Sequence, residues 1–318
     1  MKSRGEFGFI DHIKANFPAP EGIIGIGDDC AVMPAGEGEL LFSTDLLMEG
    51  VHFLRSESSP EDVGWKAAAV NLSDIAAMGG IPVATFLSIA LPKDAQGEWA
   101  ERFIEGYTQI SRTYDVPLLG GDTTSSLMKI AVNVGVLGRC PKGKRLMRSG
   151  AKVGETIYVT GPLGDSAGGL QAILKGIEKT ENVTRLIERH KRPVPRIDAG
   201  KVLIESGKVG AMMDISDGMA SDLRHIMKAS EVGAVIALDR LPCSPELVCV
   251  CAEQGWDRYE LATSGGEDFE LLFTGPEGLE NELDIMVYPI GKTVQGKDLI
   301  WTENGRILNS DYIGYKHF

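Results

Sequence analysis

The first half of the chain alternates apolar runs with polar breaks, and the runs are short enough to predict strands. Residues 39–45 (ELLFSTD) form such a run and end in a carboxylate. Further strands are predicted at 83–91, 116–122 and 129–137. The strand at 116–122 (VPLLGGD) also ends in an aspartate. Carboxylates thus recur where predicted strands finish.

A long helix is predicted between the first two strands. Ser59 can cap its start, Pro60 suits the first turn, and two acids follow at the positive end of the helix dipole. The glycine pair after Met78 ends it. The segment WKAAAVNLSDIAAMGG is apolar on nearly every face, which predicts a buried helix.

A second helix is predicted over 94–114. Large side chains recur along it at spacings of three or four residues, at Trp99, Phe103, Tyr107, Ile110 and Tyr114. This spacing places them on one helical face. Core packing is the simplest explanation for most of that stripe.

The chain is predicted to divide near residue 150, at the end of a basic, glycine-rich stretch (138–154). This gives an N-terminal domain at 1–150 and a C-terminal domain at 151–318. In the second domain we predict strands at 156–160, 211–214, 235–238 and 270–274, and helices at 166–175, at 197–205 and from about residue 218. The mixture indicates an α/β or α+β fold in two halves.

Composition limits the classes of function. The 318 residues are 43% hydrophobic and 24% charged, and the net charge is −13. Nucleic acids and anionic membranes are bound by basic surfaces, so neither is an expected partner. The five cysteines show no CxxC pair, no signal peptide is recognisable, and no apolar run is long enough to span a membrane. These features predict a cytoplasmic protein with reduced thiols.

Aspartates are the strongest chemical signal. The set consists of Asp28, Asp29, Asp45, Asp74, Asp122, Asp214 and Asp217. All but Asp74 stand at glycine turns or after apolar stretches, where α/β folds bind their ligands. Any one of them alone is explained as well by the capping of a turn or helix. Several such carboxylates cannot all be ionised in one place without cations. Hard oxygen ligands suit Mg²⁺, which shares its shell with substrate phosphates, so the set predicts Mg²⁺ and a polyphosphate together.

Asp74 carries most of this argument because it lies on the helix predicted to be buried. A buried carboxylate must be protonated or paired. It either caps a neighbouring loop or ligates a metal, and we favour the metal. The five histidines and five cysteines show no zinc-ligand spacing.

Other motifs are weaker. Residues 138–145 nearly match a phosphate-binding loop, but Arg145 stands where a hydroxyl is needed and Pro141 lacks an amide, so we reject that interpretation. Arg148, in a glycine-flanked loop, suits bidentate phosphate binding. Glu267 and Asp268, in SGGEDFELLF, indicate a hairpin turn or a substrate contact about equally. No nucleophile motif is present.

The ordered set of motifs resembles the thiamine-monophosphate kinase family. The matching strings span nearly the whole chain: GEFGFI, GIGDDCA, FSTDLLMEGVHF, AVNLSDIAAMGG, LLGGDTT, RSGAKVGETIYVTGPLGDSAGGL, MDISDGMASDL, GGEDFELLF and YIGYKHF. The resemblance implies the two-domain fold of the aminoimidazole-ribonucleotide-synthetase superfamily. It also implies a homodimer whose N-terminal sheets join into a barrel. The implied reaction is the last step of thiamine diphosphate biosynthesis, in which ATP phosphorylates thiamine monophosphate directly and in line.

The resemblance also assigns site residues. The metal ligands would be Asp29, Ser43, Thr44, Asp45, Asp74, Asp122, Asp214 and Asp217. The ATP contacts would be Tyr107, Gly121, Asp122, Arg148 and Ser216, and the thiamine contacts His52, Glu267 and Phe318. No residue is assigned as a catalytic base, because the acceptor is itself an anionic phosphate. Which of Asp28 and Asp29 faces the metal is left open.

Three alternatives remain at this stage. A sister activity of the superfamily is one, although selenophosphate synthesis would need a reactive cysteine before the aspartate pair, and Cys30 follows it. A non-catalytic nucleotide-binding subunit would be expected to have lost metal ligands. A metal-dependent phosphatase would more often use histidine-rich ligands.

Overall fold

The computed structural model describes residues 14, 19, 21–308 and 312–314. Within them the strands are β1 (Ala31–Ala35), β2 (Gly38–Met48), β3 (Ile81–Leu91), β4 (Leu118–Ser125), β5 (Ala131–Pro141), β6 (Thr156–Val159), β7 (Met212–Asp214), β8 (Gly233–Ala237), β9 (Leu271–Gly275), β10 (Tyr288–Val294), β11 (Leu299–Glu303) and β12 (Arg306–Leu308). The helices are α1 (Pro60–Ala77), α2 (Glu98–Thr113), α3 (Asp165–Lys175), α4 (Glu181–Lys191), α5 (Ile197–Ser206), α6 (Met219–Ser230), α7 (Pro245–Gln254) and α8 (Arg258–Ser264). Short 3₁₀ turns lie at Lys93–Ala95, Leu238–Arg240 and Leu279–Asn281.

The first half is built on one sheet. Within the described residues it has five strands in the order β1-β2-β5-β3-β4. All neighbours are antiparallel except β3 and β4, which are parallel. Strand β2 pairs with β5 along its whole length, and β4 lies at the edge. Helices α1 and α2 pack together, and α1 lies against β2 and β5.

Helix α1 is the centre of the molecule. Ser59 and Asp62 form the reciprocal hydrogen bonds of a capping box at its start. Most of its residues are buried, because it contacts the first sheet on one side and α5 and β7 of the second half on the other. The predicted start, end and all-round burial of this helix are confirmed.

Two glycines allow α1 and α2 to cross at close range. A Cβ on Gly64 would lie 2.0 Å from the Phe103 carbonyl oxygen, and one on Gly106 would lie 1.9 Å from the Glu61 carbonyl oxygen. Both obstacles are backbone atoms of a helix and cannot rotate away. Any side chain at either position would therefore push the two helices apart.

The second half is built on a larger sheet. Within the described residues it has seven strands in the order β12-β11-β8-β10-β6-β9-β7, antiparallel apart from the β8–β11 pair. Tyr158 and Phe273 stack in its core with ring centroids 5.2 Å apart. The mixed architecture agrees with the fold class predicted from sequence.

Some local predictions need correction. The helix predicted over 94–114 is broken at Gly97 (φ 91°), and only Glu98–Thr113 is α-helical. Cys249 and Cys251 lie on α7, and all five cysteines are free. The segment 265–270 joins α8 to β9 without a hairpin, so the hairpin interpretation is wrong.

Strand β1, helices α4, α7 and α8 and strands β10–β12 were not predicted from sequence. Helix α4 has an apolar stripe of Val183, Leu186 and Ile187, but its short length and many charges conceal it. Among the described helices, none combines the length and apolarity that crossing a bilayer requires.

Candidate active site

Three carboxylates from distant parts of the chain meet at one point. Asp29 precedes β1, Asp74 lies in the last turn of α1, and Asp214 ends β7. One oxygen of each lies within 4.8 Å of the others. The packing of α1 between the two halves creates this meeting point, since α1 contacts both β2 and β7.

These carboxylates are held where their charges repel. Burial and, after it, the Asp29 charge raise the pKa of Asp214 to about 7. Burial raises the pKa of Asp74 well above its usual value, with further contributions from Asp45 and Asp214. Burial and the charges of Asp217 and Asp29 raise the pKa of Asp45 to about 6. Asp45 and Asp217 therefore belong to the same electrostatic cluster.

The donor set fits a hard divalent cation. All three side chains offer carboxylate oxygens, the ligands that Mg²⁺ prefers. Asp29 Oδ2 is buried and accepts no hydrogen bond from the described residues. A buried, unsatisfied carboxylate oxygen needs a partner, and a cation supplies one.

Two serine hydroxyls orient the cluster. Ser43 Oγ donates to Asp74 Oδ2 at 2.5 Å, and Ser73 Oγ donates to Asp214 Oδ2 at 2.6 Å. Ser43 was assigned through the resemblance, but Ser73 was missed. The sequence gives one indication of its role. Ser73 is a polar residue on a helix predicted to be buried, and a buried hydroxyl needs a hydrogen-bond partner.

Arg148 lies at the cluster. Its Nε donates to Asp29 Oδ1 at 3.2 Å, and one of its terminal nitrogens makes a closer contact to the same oxygen. Asp28 instead accepts the backbone N–H of Arg148, with both oxygens at 3.3 Å. The structure thus separates the aspartate pair: Asp29 joins the carboxylate cluster, whereas Asp28 holds the Arg148 loop.

Thr44 lies on the other face of β2 from its neighbours Ser43 and Asp45. Its hydroxyl donates to the Val134 carbonyl at 3.1 Å and accepts from Asn133 at 2.8 Å. The Thr44 hydroxyl is therefore on the opposite face of the sheet from Ser43 and Asp45, because side chains alternate across a strand.

Asp217 and Ser216 lie in the turn between β7 and α6. Asp222, on the first turn of α6, accepts both of their backbone N–H groups through Oδ2, at 3.2 and 3.1 Å. Burial raises the pKa of Asp222 well above its usual value. Sequence reasoning missed this residue, because an acid near a helix start has an ordinary explanation in the helix dipole.

His52 and Glu267, which the family resemblance assigns to thiamine, both contact Lys66 of α1. His52 Nδ1 accepts the Met48 backbone N–H at 3.0 Å. Glu267 borders a small recess of about 20 Å³, which shares Pro162, Asp165 and Arg189 with an open cleft of about 1110 Å³ along α4. Asp268 is directed away, toward the start of α3, where it accepts the Gly164 and Ser166 amides at 2.7 and 3.2 Å.

Both halves of the chain match known family models. Residues 27–140 match the AIR synthase related protein, N-terminal domain, and residues 152–300 match the corresponding C-terminal domain. A curated thiamine-monophosphate kinase from Escherichia coli O157:H7 is 41% identical, and the match covers 99% of this chain and 98% of the relative. The one from Aquifex aeolicus is 39% identical, and the match covers 100% of this chain and 99% of the relative. The chain belongs to the thiamine-monophosphate kinase family.

Solved structures agree with this placement. One described as AaThiL complexed with AMPPCP and TMP has a TM-score of 0.90 and 37% identity, with 100% of this chain and 98% of that chain covered. E. coli HypE, a hydrogenase maturation protein, has a TM-score of 0.70 over 87% of each chain at 19% identity, which indicates a shared fold alone.

Three residues that the family resemblance assigns to ATP lie away from the cluster within this chain, and one of them, Asp122, is also an assigned metal ligand. Asp122 and Gly121 are exposed on the edge strand β4. Across the sheet, Asp122 of β4 pairs with Ser88 of β3, which pairs with Asn133 of β5, which pairs with Leu46 of β2. Three strand spacings therefore separate Asp122 from β2, a distance of about 14 Å. Tyr107 is in the core, 2% exposed, and its hydroxyl donates to Thr85 at 2.7 Å. Phe318, assigned to thiamine, is outside the described residues.

Proposed function

We propose that this protein is an ATP-dependent kinase that converts thiamine monophosphate to thiamine diphosphate, as its relatives' names state for them. The observation that carries the proposal is the convergence of Asp29, Asp74 and Asp214 on one point beside Arg148. An acidic protein needs a cation to bind an anionic nucleotide at such a place. The division into domains at 1–150 and 151–318 and a cytoplasmic location are part of the same proposal.

Mg²⁺ is the cofactor that this arrangement suits. Asp29, Asp74 and Asp214 would hold it. The family resemblance adds Asp45, Asp217, Ser43 and Thr44 as ligands of further ions; of these, Asp45 interacts with the Asp217 charge and Ser43 contacts Asp74. Bound Mg²⁺ would neutralise the negative charge of the nucleotide phosphates. The raised pKa values of Asp74 and Asp214 support this assignment, because burial and neighbouring carboxylates disfavour their charged forms and a divalent cation would offset both effects.

The residues of the chain bind and orient the reactants. Arg148 presents a planar guanidinium to the phosphates, and Ser216 lies in a turn that Asp222 fixes through two amide hydrogen bonds. The acceptor phosphate is already anionic at neutral pH, so its oxygen can attack the γ-phosphorus in line without a protein base. Transfer of this kind depends mainly on position and charge neutralisation, which agrees with the absence of a nucleophile motif in the sequence.

A homodimer is part of the proposal. The face of the first sheet that lies away from α1 exposes Phe42, Leu46 and Phe86, with 40, 52 and 41% of their surfaces accessible. A sheet face that exposes large apolar side chains in this way is typical of an interface. Pairing of two such faces would also cover β4, and it offers Gly121 and Asp122 a route to a nucleotide bound by the second subunit.

The direct test is to incubate the purified protein with ATP, Mg²⁺ and thiamine monophosphate and to separate the products by chromatography. The proposal predicts thiamine diphosphate in one-for-one ratio with ADP, and loss of both in Asp74→Asn. Unphosphorylated thiamine and phosphate monoesters other than thiamine monophosphate serve as control acceptors. If ADP forms only when another acceptor is offered, the nucleotide-site proposal stands and the assignment of thiamine monophosphate as substrate is contradicted.

A further inference from the structure

A buried lysine links the two residues assigned to the thiamine side. Lys66, on α1, has a side chain only 4% exposed. Its Nζ donates to Glu267 Oε2 at 2.8 Å and to the His52 carbonyl oxygen at 3.2 Å. Lysine is rarely buried without a partner, so this arrangement requires an explanation. No family motif and no charge pattern in the sequence indicates it.

A histidine approaches the same carboxylate oxygen from another helix. His190, on α4, places Nδ1 3.3 Å from Glu267 Oε2 and 3.0 Å from Ser166 Oγ. Burial and, after it, the Lys66 charge lower the pKa of His190 to about 3, so the ring is neutral. A carboxylate only accepts, which favours the tautomer with the proton on Nδ1.

The backbone of Glu267 is fixed as well. Its φ is 65°, in the left-handed region that a side chain other than glycine's rarely adopts. Its N–H donates to the Ser216 carbonyl at 2.8 Å, and the Phe269 N–H donates to the Ile215 carbonyl at 2.9 Å. The loop carrying Glu267 is therefore joined to the turn that carries Asp217, and strained residues of this kind cluster at functional sites.

Both contacts fall on Oε2, whereas the Glu267 side chain remains 25% exposed and borders the recess of the cleft. Oε1 makes neither of these two contacts and is thus the oxygen available to a ligand. Burial acts to raise the pKa of Glu267, but the net shift is downward and the Lys66 charge and hydrogen bond contribute to it, so the carboxylate is ionised. An ionised carboxylate suits the cationic thiazolium or the amino group of thiamine.

We propose that Lys66 and His190 are positioning residues, which hold Glu267 at the geometry that binds the thiamine moiety. Lys66 also fixes the His52 loop through its carbonyl, so that the two thiamine-side segments keep their relative position. This inference rests on the proposed function. A buried ion pair contributes little net stability compared with apolar packing, which favours a role in specificity over one in folding.

The test compares Lys66→Met, Glu267→Gln and the double variant by steady-state kinetics. We expect Lys66→Met to raise KM for thiamine monophosphate about 10- to 100-fold, the range for losing a hydrogen bond to a charged group, with KM for ATP little changed. Lys66→Arg should restore part of the loss. Because Lys66 acts through Glu267, the double variant should be no worse than Glu267→Gln. His190→Ala should shift the same KM by a smaller factor.

Controls separate this role from a structural one. Arg102→Met removes another ion pair to α1, with Glu61, away from the Glu267 loop, and should leave both KM values unchanged. Two outcomes would overturn the inference. One is an equal increase in both KM values of Lys66→Met together with a lowered melting temperature, and the other is an additive loss in the double variant. An active Lys66→Met protein with an unchanged KM for thiamine monophosphate would overturn this inference and leave the proposed function standing. Wild-type protein that forms no thiamine diphosphate would overturn the proposed function and this inference together.

Discussion

Ser73 Oγ donates a 2.6 Å hydrogen bond to Asp214 Oδ2, and this bond joins the central helix of the first half to a strand of the second. The two residues are 141 positions apart in sequence. Both are buried, with 0 and 3% of their surfaces accessible. The bond fixes the rotamer of a proposed metal ligand from the opposite half of the molecule.

Removal of this bond should weaken metal binding. We predict that Ser73→Ala raises the Mg²⁺ concentration needed for half-maximal activity by about 10- to 100-fold, as is typical when a hydrogen-bond partner of a metal ligand is lost. The measurement is a Mg²⁺ titration of the kinase rate, with Ser206→Ala on α5 as the control. An unchanged Mg²⁺ dependence would show that Asp214 does not need Ser73 for its position.

The carboxylate cluster should make Mg²⁺ stabilisation dependent on pH. The folded protein holds Asp45 and Asp214 at pKa values of about 6 and about 7, above those of the unfolded chain. Between about pH 4 and pH 7 the folded state therefore binds more protons, and the metal-free protein loses stability as pH rises.

Mg²⁺ removes the repulsion between the ionised carboxylates, so the rise in melting temperature that it causes should be larger at about pH 8 than at about pH 5.5. Thermal unfolding with and without Mg²⁺ measures this difference. A Mg²⁺ effect of the same size at both pH values would contradict the proposed cluster.

The crossing of α1 and α2 should not tolerate a side chain. We predict that Gly64→Ala lowers the free energy of unfolding by about 1–3 kcal/mol, because its Cβ would meet the Phe103 carbonyl oxygen. The better helix propensity of alanine offsets only about 1 kcal/mol of the clash. Glu105→Ala on the exposed side of α2 is the control, and a stabilised Gly64→Ala protein would contradict this packing.

The exposed sheet face should form the dimer. Phe86→Glu places a charge on that face, and we predict that it converts a dimer into a monomer of 34.2 kDa. Leu174→Glu, on an exposed helix of the second half, should remain dimeric. Light scattering after gel filtration distinguishes the two masses. A dimeric Phe86→Glu protein would place the interface elsewhere.

The sequence predicted α1 well, because its signals are local. The capping residues mark the start of α1, and the all-round apolar character indicates its burial. Asp74, which we expected to be buried, is half-buried, and its partners are Ser43 and the two neighbouring carboxylates. The choice between Asp28 and Asp29 depends on how one turn folds, so it could not be made from sequence.

Ser73, Lys66 and Asp222 escaped prediction for a common reason. Ser73 and Lys66 each act on a partner far away in sequence, and Asp222 also has a simpler local explanation in the helix dipole. Lys66 is 201 residues from Glu267, and nothing in a lone lysine on an apolar helix indicates that pairing. The missed strands β10–β12 are short and interrupted by turn residues, so their pattern is too weak to distinguish from loops.

The central claim is that the three carboxylates hold the Mg²⁺ through which the nucleotide binds. The most direct measurement is calorimetry of a non-hydrolysable ATP analogue binding to wild-type and Asp74→Asn protein, with and without Mg²⁺. The account predicts Mg²⁺-dependent binding by the wild type and its loss in a variant that remains folded. Equal, Mg²⁺-dependent binding by both proteins would contradict it.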